Sequence, residues 1–273
     1  MPTYDHDGLT FDYRDEGSGM PVVLLHGFPQ DASSWDRVAP RLHEAGVRTL
    51  APDQRGYSPG ARPVERSAYR IDRLSGDVIA LLDAVGVDRA VIVGHDWGGA
   101  VAWDLAMRHP DRVAAMVALS TPHPVAMKWA YLHSTQLLRS WYMGAFQVPW
   151  FPERSAARVL GQSLRSSGLA PDLADRYAAR FSTPESLTGP INWYRAIPYS
   201  QGKDMPSVSP FVTVPTTYIW GTQDRFLGRA AAVRTAGFVR APYRFVEVEA
   251  SHWLPEECPE LVAAEVLAQA SHR

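Results

Sequence analysis

Residues 89 to 100 read R-A-V-I-V-G-H-D-W-G-G-A. Ala90 to Val93 is a short apolar run rich in β-branched residues, the composition of a parallel strand buried on both faces. Gly94, Gly98 and Gly99 then bracket Asp96, and Ala100, Val101, Trp103, Leu105 and Ala106 continue at helical spacing as far as His109-Pro110. The order is strand, sharp turn, helix. Glycines two residues before and two after Asp96 remove the Cβ atoms that would collide in so tight a reversal, which leaves the Asp96 side chain standing above the sheet edge. An isolated G-x-D-x-G also describes an ordinary turn or a helix cap, so the rest of the chain has to support the reading.

Working outward, the chain repeats this rhythm. Thr3 to Tyr13 alternates about Asp7-Gly8, a type I′ hairpin signal that predicts two antiparallel strands at one edge of a sheet. Val22 to Leu25 is an apolar run of strand length that delivers His26-Gly27-Phe28-Pro29 to the carboxyl edge, where open α/β sheets bind ligands. Read alone, H-G-F-P is only a strand-ending turn. Trp35 to Glu44 predicts an amphipathic helix closed by Gly46, and Val47 to Ala51 predicts a strand running into Pro52-Asp53-Gln54-Arg55-Gly56-Tyr57. Tyr69 to Val85 carries apolar residues at spacings of three and four, a helix with one buried face that Gly86 ends. Val113 to Leu119 is a further strand, leading to Ser120-Thr121-Pro122. Strands alternating with helices predict an α/β fold, a mostly parallel central sheet with flanking helices on both faces.

From His123 to about Met205 the alternation stops. This stretch is helical in pattern, broken by prolines and crowded with aromatics, among them Trp141, Tyr142, Phe146, Trp193 and Tyr194. A helical lid has one face toward a substrate and one toward solvent, which explains aromatics without strand periodicity. A small helical subdomain with its own core would explain them equally. The expected division is residues 1–122 and 206–273 for the α/β core and 123–205 for an inserted lid, or cap. Sheet rhythm returns with Thr216 to Trp220 and Tyr243 to Val248, and Leu261 to Ala270 makes a closing helix.

With 273 residues, 46% of them hydrophobic, the chain can bury a large core, and a formal net charge of -2 with scattered charges gives no basic stripe for nucleic acid or an anionic membrane. The expected partner is a small neutral molecule. Cys258, the only cysteine, excludes an intrachain disulfide and a cysteine-based zinc site, and Glu256, Glu257 and Glu260 around it disfavour a thiolate, so it reads as a surface thiol. No membrane-spanning run and no basic-then-apolar leader stand out, and the expected location is the cytoplasm.

The two returning strands end in Gly221-Thr222-Gln223-Asp224 and in Ala250-Ser251-His252-Trp253. A carboxylate and then an imidazole, each just beyond a strand end on the elbow's side of the sheet, complete the order nucleophile, acid, histidine of a G-x-S-x-G elbow enzyme, with aspartate in the serine position. Among the other histidines, His109 ends a helix, and His43, His133 and His272 read as solvated.

With these motifs the chain resembles the α/β-hydrolase superfamily, specifically the aspartate-nucleophile branch of epoxide hydrolases and haloalkane dehalogenases. The resemblance covers nearly the whole chain through H-G-F-P at 26 to 29, G-H-D-W-G-G at 94 to 99, G-T-Q-D at 221 to 224 and S-H-W at 251 to 253. A carboxylate is already ionised at neutral pH and can displace a leaving group from saturated carbon, giving an alkyl ester on Asp96. His252, oriented by Asp224, then serves as general base for the water that hydrolyses the ester. The resemblance assigns the oxyanion-hole N–H groups to Phe28 and Trp97. It also matches R-S-W-Y-M-G-A-F-Q-V-P (139 to 149) and I-N-W-Y-R (191 to 195) to epoxide hydrolase lid motifs, which assigns Tyr142 and Tyr194 to activation of the epoxide oxygen. It implies a small apolar epoxide and water as reactants, opening to a vicinal diol, with no cofactor and no metal.

Departures from neighbouring families sharpen this expectation. Dehalogenases carry Asn or Glu where Phe28 stands, while Trp97 is common to both groups and separates nothing. Fluoroacetate dehalogenases, which share H-G-F-P, place arginines where this chain has Trp97 and Ala100, so a small anionic substrate is disfavoured. His26 and His95 are expected to orient loops through hydrogen bonds. Asp53 and Arg55, in the family's P-D-x-R-G loop, are expected to form a buried ion pair, and Phe28-Pro29 matches a bond that is cis in the family. The alternatives are a haloalkane dehalogenase with the same triad, a non-catalytic ligand-binding member of the fold, and an ordinary esterase.

Overall fold

A computed structural model describes residues 1–201 and 208–271. The expected boundary at 205/206 and His272 lie outside the described residues. The Asp7-Gly8 turn joins β1 (Thr3–His6) to β2 (Leu9–Glu16), with both turn residues at positive φ as a type I′ turn requires. There follow β3 (Met20–Leu25), α1 (Ala39–Glu44), β4 (Val47–Pro52), α2 (Ile71–Ala84), β5 (Ala90–His95), α3 (Trp97–Arg108) and β6 (Val113–Leu119). Among the described residues six helices come next: α4 (Pro124–His133), α5 (Gln136–Arg139), α6 (Trp141–Ala145), α7 (Phe151–Ser166), α8 (Pro171–Arg180) and α9 (Pro184–Arg195). The chain closes with β7 (Thr216–Gly221), α10 (Arg229–Arg234), β8 (Tyr243–Val248), α11 (Leu254–Glu257) and α12 (Pro259–Ala270).

The eight strands form one sheet in the order β1-β2-β4-β3-β5-β6-β7-β8. The β1–β2 and β2–β4 pairs are antiparallel and the remaining pairs parallel, so the N-terminal hairpin is the edge that the sequence predicts. The two-residue period of a strand sends neighbours to opposite faces. Val23, Leu25, Ile92 and Met116 pack with Leu81 of α2 and Trp103 of α3, whereas Val22, Leu24, Val91 and Val117 pack with Leu42 of α1 and Val262 of α12. Both faces are therefore covered, which is why these strands read as unbroken apolar runs.

Three expectations change. The helix over Trp35 to Glu44 is two pieces, a 3-10 turn (Ala32–Trp35) capped by Asp31 and then α1. Pro40 has no N–H to donate and is tolerated only in a helix's first turn, so the α-helix has to restart there. The helix over Tyr69 to Val85 begins later, at Ile71, because Tyr69 belongs to a separate 3-10 turn. Cys258 is half-buried against the core rather than a surface thiol; burial, with Glu257 and Glu260, pushes its pKa up. Helices α10 and α11 have no counterpart in the sequence reading. Among the described residues no helix is long and apolar enough to cross a membrane.

Candidate active site

The parallel strands all point their carboxyl ends at one edge, and the loops leaving β3, β5, β7 and β8 meet there. Asp96 has φ 51° and ψ -118°, a conformation that costs a non-glycine residue energy and turns its side chain out of the strand. Its neighbours explain why glycine is needed: a Cβ on Gly94 would lie 2.2 Å from Gly98 O, and one on Gly98 would lie 2.1 Å from Leu25 O. Asp96 precedes α3 without capping it, and its backbone oxygen accepts from Thr121 Oγ1 at 2.6 Å. The carboxylate is thus free to face the cleft.

Phe28 N–H donates to Asp96 Oδ1 at 2.8 Å, and His252 Nε2 is 3.5 Å from Asp96 Oδ2. Trp97, the first residue of α3, contributes one of the N–H groups that a helix start leaves without an intrahelical acceptor. His252 Nδ1 is 2.8 Å from Asp224 Oδ2, while Asp224 Oδ1 accepts from Phe226 N–H at 2.7 Å and Leu227 N–H at 2.9 Å. Both Asp224 and His252 are buried. Burial alone would push the His252 ring down; the charge and hydrogen bond of Asp224, with Asp96 behind them, push it up to about 10. Burial would raise the Asp96 carboxyl, but His252, His95 and the Phe28 N–H outweigh it and hold it below the usual carboxylate range.

Two tyrosines face this group from the helices between β6 and β7. Tyr142 of α6 and Tyr194 of α9 have ring centroids 5.9 Å apart, and Tyr194 packs edge-on against Trp97 at 5.1 Å and Phe28 at 5.5 Å. Burial, with Asp96 next, pushes the Tyr142 phenol well up; burial, Tyr142 and Asp96 do so for Tyr194. Both stay protonated at neutral pH and can donate. Phe146 and Phe226 complete an aromatic wall around them. A cavity of about 280 Å³ lies beside the site, lined by Leu74, Trp97, Ala100, Met107 and Trp193 among others, and Trp97 alone links it to the residues above.

The supporting residues divide into expected and corrected. His26 Nδ1 donates to Gly27 O at 3.0 Å and its Nε2 accepts from Gln54 N–H at 3.2 Å; His95 Nε2 meets His252 O at 2.8 Å, so both histidines orient loops. Phe28-Pro29 is cis. Asp53 and Arg55 do not pair with each other. Arg55 forks onto Asp77 at 2.9 and 2.6 Å and reaches Asp7 at 3.1 Å, whereas Asp53 takes Arg180 of α8 at 2.6 Å and Ala32 N–H at 3.0 Å. A buried guanidinium is best served by a carboxylate it can meet bidentately, and Asp77 on α2 presents one where Asp53 points across the strand end toward α8. His43 is half-buried on Thr49 Oγ1 at 2.8 Å rather than solvated. The sequence assigns Gln30 no role and offers Glu256 only as a neighbour of Cys258, yet the two are buried and joined at 2.6 Å; their separation of 226 residues leaves no local signal. Among the described residues no group of three His, Cys, Asp or Glu side chains is placed to hold a metal ion.

Sheet order, elbow and carboxylate–histidine pair together define an α/β hydrolase with aspartate at the elbow. The family model described as "alpha/beta hydrolase fold" matches residues 20–259. The chain is 37% identical to the AB hydrolase superfamily protein YfhM of Bacillus subtilis, covering 94% of this chain and 92% of that one. It is also 37% identical to epoxide hydrolase A of Mycobacterium tuberculosis, covering 96% and 94%. A solved structure of a novel epoxide hydrolase from hot-environment metagenomes superposes with a TM-score of 0.84 at 28% identity, covering 100% of this chain and 98% of that one. The chain belongs to the α/β-hydrolase family, and within it to the epoxide hydrolases.

Proposed function

We propose that this chain hydrolyses a small apolar epoxide to a vicinal diol through an alkyl ester on Asp96. The observation that carries this reading is that two phenols held protonated, Tyr142 and Tyr194, pack together with Trp97, Phe28 and Phe146 within electrostatic reach of an ionised aspartate at a strained elbow. An Asp96 oxygen attacks an epoxide carbon, the ring C–O bond breaks, and the departing alkoxide takes a proton from a tyrosine. Esterification removes the Asp96 charge, one of the influences that hold the His252 proton, and that proton passes to the tyrosinate, so His252 can then act as base. Its Nε2 takes a proton from water, the hydroxide adds to the ester carbonyl, and the oxyanion is held by the N–H groups of Phe28 and Trp97. Collapse breaks the ester C–O bond, the leaving alkoxide takes the proton of the newly formed Asp96 acid to give the diol, and Asp96 is left ionised beside a protonated His252, as at the start. Asp224 keeps the imidazole oriented throughout, and no step needs a metal or an organic cofactor.

In this reading the described residues from 123 to 201 form a lid over the sheet residues. Four ties support it: Trp193 Nε1–H to Arg55 O at 2.7 Å, Arg180 to Asp53, Tyr177 to Glu256 at 2.9 Å, and Arg139 to Asp224 O at 2.9 Å. The aromatic side chains around Asp96 suit an apolar substituent, and Phe28 and Trp97 offer no charge to a carboxylate. The test is product analysis with styrene oxide and 1-bromobutane in parallel. Diol from the first and no bromide from the second supports the proposal; bromide release without diol supports the dehalogenase instead.

A further inference from the structure

Glu256 is a buried carboxylate that the mechanism above does not use. It lies on α11, four residues after His252. Its Oε1 accepts two hydrogen bonds, from Gln30 Nε2 at 2.6 Å and from Tyr177 OH of α8 at 2.9 Å, while its Oε2 is buried with no hydrogen-bond partner among the described residues. Gln30 is itself fully buried, and its amide has one sense only. With Nε2 on Glu256, its Oε1 accepts Gly27 N–H at 3.1 Å and faces His95 Nδ1 at 2.8 Å. Gly27 is the residue whose added Cβ would lie 2.4 Å from Asp96 Cβ, and the next N–H, from Phe28, is the one on Asp96 Oδ1. On the other branch, His95 Nε2 and Ser120 Oγ hold His252 O, each at 2.8 Å. Burial and the His252 charge push His95 down to about 4, so the neutral ring donates to one of its two acceptors at a time.

We propose that Glu256 is a positioning residue whose ionised carboxylate, acting through Gln30, holds the Gly27–Phe28 loop and His95 in register with Asp96 and His252, and that protonating it relaxes that hold. The inference rests on the function proposed above. The chemistry is that of an acceptor becoming a donor. A carboxylate can take both the Gln30 amide and the Tyr177 hydroxyl on one oxygen, whereas a neutral acid is a weaker acceptor there and carries a proton for which the unpaired Oε2 offers no acceptor. The same carboxylate joins α8 to the elbow, so the state of one proton reaches the helices above the site and the residues below it.

The groups around Glu256 set the direction of its titration. Tyr177 and Arg176 come from α8, and Arg176 also reaches Tyr177 OH at 3.4 Å and Asp36 at 3.1 Å. Arg37 donates to the Glu256 carbonyl at 3.0 Å, His95 meets it through Gln30, and His252 faces it from the preceding loop. Neighbouring Glu257 turns away to Ser251 N–H at 2.8 Å. Burial dominates and pushes the carboxyl up to about 7, against the hydrogen bonds of Gln30 and Tyr177, its own backbone and the His252 charge. The native state therefore holds this proton more tightly than the unfolded chain does. Ionising Glu256 costs stability as pH rises from 4.5 to about 7, and a group kept at such a cost is characteristic of a functional site.

The test is the ratio of kcat for Glu256→Gln to kcat for the wild type, measured with styrene oxide across pH. The His252 limb is set mainly by Asp224 and Asp96, which both proteins share, and largely cancels. The ratio should fall from near 1 at about pH 5.5 to about 0.1 at about pH 8.5 with KM little changed, the size expected of a sub-ångström loss of alignment. Tyr177→Phe removes a donor that favours the charged form, so the wild-type inflection should move to higher pH. In thermal melts the neutral variant should gain on the wild type as pH rises through the same window. An active wild type with a pH-independent ratio overturns this inference and leaves the function standing. A wild type with no epoxide turnover at any pH overturns the function, and the positioning role with it.

Discussion

His252 stands between two carboxylates, with Asp224 at 2.8 Å on Nδ1 and Asp96 at 3.5 Å from Nε2, and in the resting protein its proton is held up to about pH 10. Removing one of these charges should lower that value. In Asp96→Asn the imidazole should lose its proton at a pH lower by at least one unit, about 1.4 kcal/mol of lost charge stabilisation, read from its NMR titration; an unchanged titration would mean that Asp96 does not act on it. Tyr142→Phe and Tyr194→Phe test the other end of the site. Each should slow ester formation about 100-fold, the cost of deleting one donor to a developing oxyanion, as measured by pre-steady-state quenching of Trp97 fluorescence. Asp96, Asp224 and His252 were legible in the sequence because each follows a strand at a fixed edge of the sheet. The two tyrosines were legible only through family likeness, since an aromatic on a helix has the same spacing in a core as in a site. Gln30 and Glu256 were not legible. Nothing near either residue in the chain indicates that a buried amide and a buried acid will meet.

The elbow is the element in which local sequence and tertiary packing agree most closely. Gly98 brings the start of α3 against the backbone of β3, where a methyl group would sit 2.1 Å from Leu25 O with no flexible side chain to give way. Gly98→Ala should therefore cost about 1–3 kcal/mol, as overpacking does, seen as a lower midpoint in thermal melts together with loss of turnover. A variant as stable and active as the wild type would mean that the turn is looser than its geometry. Strands announced themselves by apolar runs and hairpin residues, so β1 to β8 lie where the sequence places them. Helix boundaries were less legible, because Pro40 and the 3-10 turns redistribute hydrogen bonds that periodicity does not register. The Asp53–Arg55 pair failed for a related reason: adjacency on a loop says little about where two side chains point, and Asp77 and Arg180 from distant helices claimed them.

At the scale of the whole molecule, the helices between β6 and β7 are fastened to the sheet residues by polar ties around an apolar site. Arg180 contributes two, 2.6 Å from Asp53 and 3.2 Å from Asp31. Arg180→Met leaves both carboxylates uncompensated and should destabilise the fold by about 1–3 kcal/mol, below the range for fully buried pairs because the arginine is 31% exposed. Urea unfolding would measure the loss, and a KM that rises more than kcat falls would place the effect on closure over the substrate rather than on the chemistry. The sequence showed that this segment differs from the core; it did not show how the segment is tied down, since every tie is long-range. The central claim is that Asp96 attacks carbon, and intact-protein mass spectrometry of His252→Gln treated with styrene oxide tests it most directly. A mass gain of one whole epoxide, absent when Asp96→Asn is added, is the predicted result. No gain in the single variant, or the same gain without Asp96, would contradict it.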